Sequence, residues 1–211
     1  MATQPRRRYT LEEYFELERN SEEKWEYWDG EVFCMSGASL AHNQITIHII
    51  SEADRQLRKR GCQVFGPDMR IKVPAYPVYR YPDVSALCGK PEIERVGGLD
   101  LLTNPVLIVE VLSPSSEAFD RGDKFTYYKS IPSFSEYLLV AQHRPHVSQF
   151  VQGEGGVWTF VEYNDVNEVV RCASVPCELP LAEVYRDVDF ETAERGERQR
   201  GPGAGGTQTV Q

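Results

Sequence analysis

The sequence predicts an α/β fold, a sheet with helices packed against it, and three observations lead there. The stretch NPVLIVEVL, residues 104–112, is apolar on both faces of any strand it forms, the pattern of a strand covered on both sides in the middle of a sheet. Over residues 39–60, Ile45, Ile49, Ile50, Ala53 and Leu57 recur at helical spacing, which gives a long helix with one apolar face to lay on that sheet. A second helical segment, 116–129, falls between strand-like segments on either side, so helices and strands alternate along the chain.

Each element has a local reason. Thr10 followed by Glu13 has the form of a capping box, and Leu11, Tyr14, Phe15 and Leu17 make a short amphipathic helix to about residue 18. KWEYWDGEVFCMS then places aromatic and β-branched residues around Asp29-Gly30, the preferred chemistry of a two-residue hairpin turn. The long helix stops at Gly61. Strands are expected at 63–73, 81–88 and 106–112, separated by loops containing Pro and Gly. After the helix at 116–129, which ends before Pro132, the segments SEYLLVAQ, HVSQFVQG, VWTFVEYN and EVVRCASV read as further strands, the last of them irregular. A short helical piece at 181–185 closes a domain spanning 9–190. Residues 1–8 are expected to be a flexible N-terminus, and 191–211 lack the apolar content to pack and are expected to be disordered.

Composition excludes several classes. No apolar run approaches the ~18 residues of a membrane-spanning helix, and the N-terminal MATQPRRRYT lacks the apolar stretch of a secretory signal. A cytoplasmic protein is the expectation. Five cysteines, Cys34, Cys62, Cys88, Cys172 and Cys177, lie scattered in apolar segments, which suits reduced core residues better than a disulfide framework. The net charge of -9 gives no overall basic footprint for nucleic acid, so any phosphate contact must be local.

The chemistry starts from Glu110, an acid amid the aliphatic residues of 106–112. Burying an unpartnered carboxylate costs several kcal/mol, so Glu110 needs a proton, a cationic neighbour or a metal. On a strand it shares a face with Val106, Ile108 and Leu112. Asp83, at the start of YPDVSALCG, is a second acid in an apolar strand. Two such carboxylates on neighbouring strands would repel unless a divalent cation lay between them, and Mg2+, which keeps several waters, is the natural candidate. Lys124 is measured by reach. Residues 110–113 on a strand and 117–124 on a helix each span about 10 Å, so a chain folding back at Ser113-Pro114-Ser115-Ser116 brings Lys124 level with Glu110. The helix face it would share holds Asp120, Tyr127 and Tyr128, and a surface Asp120/Lys124 pair is the competing reading.

Taken together, Pro82-Asp83, the strand end Glu110-Val-Leu-Ser-Pro-Ser-Ser, and Asp120-Arg-Gly-Asp-Lys124 followed by Tyr128 and SEYLLV resemble the Uma-two family of restriction endonuclease-like proteins, a branch of the PD-(D/E)xK phosphodiesterase superfamily. The resemblance runs from about residue 9 to 188 and includes YTLEEYFEL and EYWDGE. It implies a restriction-endonuclease-like mixed central sheet flanked by helices, and a cut of DNA phosphodiester bonds dependent on Mg2+, or Mn2+ in its place. It also implies that Asp83 and Glu110 are metal ligands and that Lys124 is the active lysine. The name-giving pattern has lysine two residues after the acid, where this chain has Leu112. By the same resemblance Glu26 helps hold the metal or its water, and His42 meets a phosphate or orients a carboxylate. The competing readings are an exposed hairpin carboxylate for Glu26 and a helix-start histidine without chemistry for His42.

Two rival functions stand beside this one. A nuclease fold that binds DNA or a protein partner without cutting is favoured by the missing Glu-x-Lys and the acidic balance. A glycosidase pair of carboxylates ranks below it, since no aromatic platform for a sugar can be picked out. A serine hydrolase is excluded by the lack of a Gly-x-Ser-x-Gly elbow. A homodimer would suit double-strand cutting, though no segment demands one.

Overall fold

The computed structural model of the chain describes residues 7–35, 37–75, 78–113 and 116–190. The expected disordered tail 191–211, residues 1–6 of the expected flexible N-terminus, and Pro114-Ser115 of the expected bend lie outside the described residues.

The elements run α1 (Leu11–Asn20), β1 (Trp25–Trp28), β2 (Glu31–Cys34), α2 (Leu40–Leu57), β3 (Cys62–Phe65), β4 (Ile71–Val73), β5 (Val78–Arg80) and β6 (Val84–Cys88). There follow β7 (Ile93–Val96), β8 (Leu99–Leu102), β9 (Leu107–Leu112), α3 (Glu117–Phe119), a π-helical turn (Asp120–Lys124) and α4 (Phe125–Tyr128). The chain closes with β10 (Glu136–Ala141), β11 (Val147–Gln152), a 3-10 turn (Glu154–Gly156), β12 (Trp158–Tyr163), β13 (Val169–Arg171), β14 (Glu178–Pro180) and α5 (Leu181–Val184). No described helix is long and apolar enough to cross a membrane.

The mixed central sheet has the order β12-β11-β10-β9-β6-β3. β9 is interior, parallel to β10 and antiparallel to β6, and all six of its residues are buried. Val109 and Val111, with Val84 and Ala86, share a cluster with Ile45, Ile49 and Ala53 of α2. Ile108 and Leu112 belong to the opposite cluster, with Leu139, Tyr128 and Tyr137. Both faces of β9 are therefore covered, as its two-sided apolar pattern requires, and each fully buried aliphatic side chain stabilises by about 1.5–3 kcal/mol.

A second sheet, β2-β1-β5-β4-β8-β7, goes beyond the sequence reading. The strand expected at 63–73 is two strands in different sheets, β3 and β4, parted by a turn at Pro67-Asp68. The strand expected at 81–88 is likewise shorter, because Pro82 has no N–H for a ladder and separates β5 from β6. The chain crosses from one sheet to the other there. The segment 89–105, read from sequence as loop, carries the hairpin β7–β8 turned by Gly97-Gly98. α1, with its Thr10–Glu13 capping box, lays Tyr14 and Phe15 on this sheet, with Tyr14 stacked on Tyr79. Buried beneath it, Arg70 pairs with Glu18 and with the Tyr81 hydroxyl.

The cysteine expectation needs correction. Cys62 and Cys88 form a disulfide. They are direct partners in the β3–β6 register, a neighbourhood that their separation of 26 residues hides in the sequence. Cys34, Cys172 and Cys177 are free thiols.

Gly97 offers a test of the second sheet. At φ +59° an added Cβ would lie 2.8 Å from Cγ of Phe15, whereas at Gly98, φ +84°, it would meet open space. Urea denaturation should show Gly97→Ala destabilised by about 2–4 kcal/mol and Gly98→Ala by only about 1 kcal/mol, the difference being the clash with α1.

Candidate active site at the junction of the two sheets

Pro82 sets the location, since the residue after it opens β6 beside β9. The register Val84↔Val109 puts Asp83 next to Glu110 on the neighbouring strand. Asp83 Oδ2 accepts a hydrogen bond from the Val111 amide at 2.7 Å and lies 3.3 Å from His42 Nε2. His42 reaches it because Ser39 caps α2, its hydroxyl accepting from the His42 amide at 3.1 Å. Of the two expected roles for His42, orienting a carboxylate matches this position.

Glu110 is 3% exposed. Its Oε1 accepts from the Tyr128 hydroxyl at 2.7 Å and from Lys124 Nζ at 3.2 Å. Lys124 is thus level with Glu110, as the reach argument requires. Its ammonium also lies 2.8 Å from Asp120 Oδ1, but neither partner is at the surface: Asp120 is 1% and Lys124 7% exposed. The expected single helix is interrupted here by the π-helical turn, a local widening often found at functional sites.

Glu26 comes from the other sheet. The register Tyr27↔Tyr79 sets it beside Arg80, which donates to its Oε2, while the Tyr81 amide donates to Oε1 at 3.3 Å. Both residues are buried, so the exposed-hairpin reading of Glu26 does not hold. Burial presses its pKa upward, but Arg80 and then Lys124 outweigh that and hold it below the usual carboxylate value. The Arg80 guanidinium lies over the Phe119 ring at 4.9 Å, and its Nε and Nη2 are buried with no partner among the described residues.

The electrostatics follow from counting. Four carboxylates, Glu26, Asp83, Glu110 and Asp120, share this region with two permanent cations, Lys124 and Arg80. The imbalance falls on Glu110, where burial in the first place, and then Asp120 and Asp83 acting against Lys124, push the pKa up to about 8. Lys124 moves the other way from an ordinary buried lysine: burial favours the neutral amine, yet Glu110, Glu26 and Asp120 keep it protonated. Lys124 is held as an ammonium, and the crowding of acids raises the proton affinity of Glu110.

A carboxylate whose proton affinity is raised for want of positive charge, next to a second one, fits a hard divalent cation. No group of three or more His, Cys, Asp or Glu side chains forms a cage among the described residues. A cation here would therefore rest on Asp83, Glu110 and water, which is how Mg2+ is commonly held. The sequence reading missed Arg80. Its signal was the one that found Glu110, a charge inside an apolar strand, but in a strand of only three residues.

With the geometry in place, comparison with known proteins is informative. Residues 11–182 match the model of the Uma2 family, described as "Putative restriction endonuclease". Two uncharacterized proteins of Synechocystis sp. are similar in sequence. One, slr1290, is 31% identical over 179 residues, 85% of this chain and 92% of its own. The other, sll1609, is 33% identical over 162 residues, 77% and 91% respectively. A crystal structure from Anabaena variabilis, described as a putative nuclease belonging to DUF820, superimposes with a TM-score of 0.67 at 17% identity, covering 88% of this chain and 99% of that one. At that identity the likeness is one of fold.

The lowered pKa of Glu26 gives a pH test with a definite sign. Its ionised form contributes stability that is fully present above its ordinary value of 4.5 and is lost as pH falls through the depressed one. Glu26→Gln should cost about 3 kcal/mol at neutral pH, the usual penalty for orphaning a buried partner such as Arg80. In thermal denaturation across pH 3–7 the gap between wild type and variant should narrow toward the acid end; a constant gap would contradict the assignment.

Proposed function

The chain belongs to the Uma2 family, and on that premise we propose that it is a Mg2+-dependent endonuclease that hydrolyses DNA phosphodiester bonds, with Asp83 and Glu110 as metal ligands. The family and the fold support a nuclease-like role. One observation carries the finer reading: Asp83 from the neighbouring strand and Asp120 from the π-helical turn crowd the buried Glu110 carboxyl, with a lysine ammonium delivered from the same turn. Mn2+ has the same donor preference and should substitute.

Mg2+ bound there would acidify a water and offset charge building on the phosphate. The protein's own groups divide the rest. Lys124, held as an ammonium, orients the attacking water or neutralises a phosphate oxygen as a point charge, and it does not act as a base. Tyr128 fixes the Glu110 rotamer by donating to Oε1, and His42 with the Val111 amide fixes Asp83. Arg80 keeps Glu26 ionised, which adds to the negative field at the site. The net charge of -9 opposes DNA over long distances, so binding should tighten steeply as Mg2+ neutralises the centre. DNA as substrate puts the work in the cytoplasm, and two copies acting together would cut both strands.

Supercoiled plasmid incubated with Mg2+ or Mn2+ tests this directly. Nicking is expected, abolished by a chelator and reduced about 100-fold or more in Asp83→Ala, Glu110→Ala and Lys124→Ala. Nicking that persists in the two carboxylate variants would sink the proposal. DNA binding with no cutting under any divalent metal would favour the silent binding module.

Metal binding can be read apart from activity. Mg2+ should raise the thermal midpoint of the wild-type protein through its preference for the folded state, and Glu110→Gln should lose most of that rise. An equal rise in both would place the ion elsewhere.

A further inference from the structure

We propose that Cys172 and Cys177 form a second reactive site, a dithiol that exchanges with small anionic disulfides and closes into a reversible Cys172–Cys177 bridge. This site is independent of the carboxylate cluster. Cys177 packs in the cluster on the α2 side of the central sheet, whereas Leu112, Tyr128 and Tyr137 around Glu110 occupy the other side.

Strand pairing sets the two thiols face to face. β13 and β14 are antiparallel with Arg171 opposite Glu178, so the next positions toward the turn are Cys172 and Cys177. The Cys172 amide donates to the Cys177 carbonyl at 2.9 Å. Cys172 and Cys177 thus occupy a hydrogen-bonded position, where paired Cα atoms stand about 5.5 Å apart, within the range a disulfide spans.

The turn between the thiols is already rigid. Glu136 of β10, fully buried, accepts from the Ala173 amide at 2.9 Å, the Ser174 amide at 2.8 Å and the Ser174 hydroxyl at 2.7 Å, all at Oε2. The Cys177 amide donates to the Val175 carbonyl at 2.7 Å. Closing a bridge across a turn held in this way orders little that is not ordered beforehand. The Cys177 thiol donates to the Glu178 carbonyl at 3.8 Å, and the neighbouring Cys172 thiol lowers the Cys177 pKa below the usual thiol value against the effect of burial.

Access and charge identify the partner. Half-buried Cys172 and buried Cys177 line a cleft of about 410 Å³ together with Gln56, Arg60, Arg171, Pro176 and Glu178, and the cleft is their route to solvent. Arg60 donates to the Pro176 carbonyl at 3.1 Å and Arg171 to Glu178 at 3.2 Å, each through one nitrogen of a guanidinium that has further donors. Two guanidiniums against the one carboxylate of Glu178 leave the cleft beside the dithiol net positive, which suits a disulfide bearing carboxylates.

The chemistry balances. The Cys177 thiolate attacks one sulfur of the small disulfide, whose S–S bond breaks and releases one thiolate, leaving a mixed disulfide on Cys177. Cys172, giving up its proton, attacks the Cys177 sulfur, and the second small thiolate departs. Two electrons pass from the protein dithiol to the disulfide, and the two protons end on the two released thiols.

Glutathione disulfide is the probe. The folded full chain is incubated with it, acid-quenched, alkylated, digested and analysed by mass spectrometry. The expected product joins the Cys172 and Cys177 peptides with loss of two hydrogens, while Cys34 remains alkylated. In Cys172→Ser the reaction should stop at glutathione bound to Cys177. Cystamine, a cationic disulfide, should react several-fold more slowly at low salt, and Arg60→Gln with Arg171→Gln should erase the difference. Full alkylation of both thiols after incubation, with circular dichroism showing a folded protein, overturns the site. Equal rates for the two disulfides overturn its preference for anions.

Discussion

Two positive charges cannot balance four negative ones inside a protein, and that constraint organises the junction of the sheets. At an effective dielectric near 20, a close ion pair returns roughly 5 kcal/mol, about what it costs to bury its members. Lys124 touches Glu110 and Asp120, and Arg80 touches Glu26. Asp83 has, among the described residues, a backbone amide and a histidine as its partners. Burial and this crowding therefore push the Glu110 carboxyl above the usual carboxylate range. An aliphatic residue in place of one acid would relieve this imbalance, so packing stability alone does not account for Glu110 in a fully covered strand.

The scaffold makes this cluster by joining sheets. Pro82 ends one ladder and opens another, so Arg80 is fixed in the outer sheet beside Glu26 and Asp83 in the central one beside Glu110, three residues apart in the chain. His42 arrives from the opposite face because the Ser39 cap fixes where α2 begins. Each side chain is held by an element whose core packing is independent of the site, which leaves the acids little freedom to part and relieve their repulsion.

Much of this could be read from the chain. Glu110 announced itself because a strand with six buried residues tolerates one charge only with a reason, and Lys124 followed from two lengths that matched. Short elements were harder. A strand of three residues such as β5 has no period to detect, and so Arg80 escaped although it obeys the same logic as Glu110. The hairpin β7–β8, Ile-Glu-Arg-Val and Leu-Asp-Leu-Leu, breaks the strand alternation in both arms and so offers no clear period of two. Register was invisible for a different reason: Cys62 and Cys88 meet only once an antiparallel pairing of β3 with β6 is fixed, and pairing is a property of the whole sheet.

The packing around Leu112 shows how one solution can serve two demands. Position 112, two residues after Glu110, points into an aromatic cluster with Tyr128, Phe134 and Tyr137, where a lysine would bury its stem and charge among rings; Leu112 fills that space instead. The same rings then orient the helix that carries Lys124. Phe125 stacks on Tyr137 at 5.3 Å, Tyr128 meets it edge-on at 5.7 Å, and the Tyr137 hydroxyl donates to the Asp120 carbonyl at 3.1 Å, which pins the π-helical turn. With that turn pinned, Asp120 and Lys124 both project inward and Tyr128 closes on Glu110. Lys124 reaches Glu110 from the helix while Leu112, at the strand position, belongs to the packing that holds that helix in place.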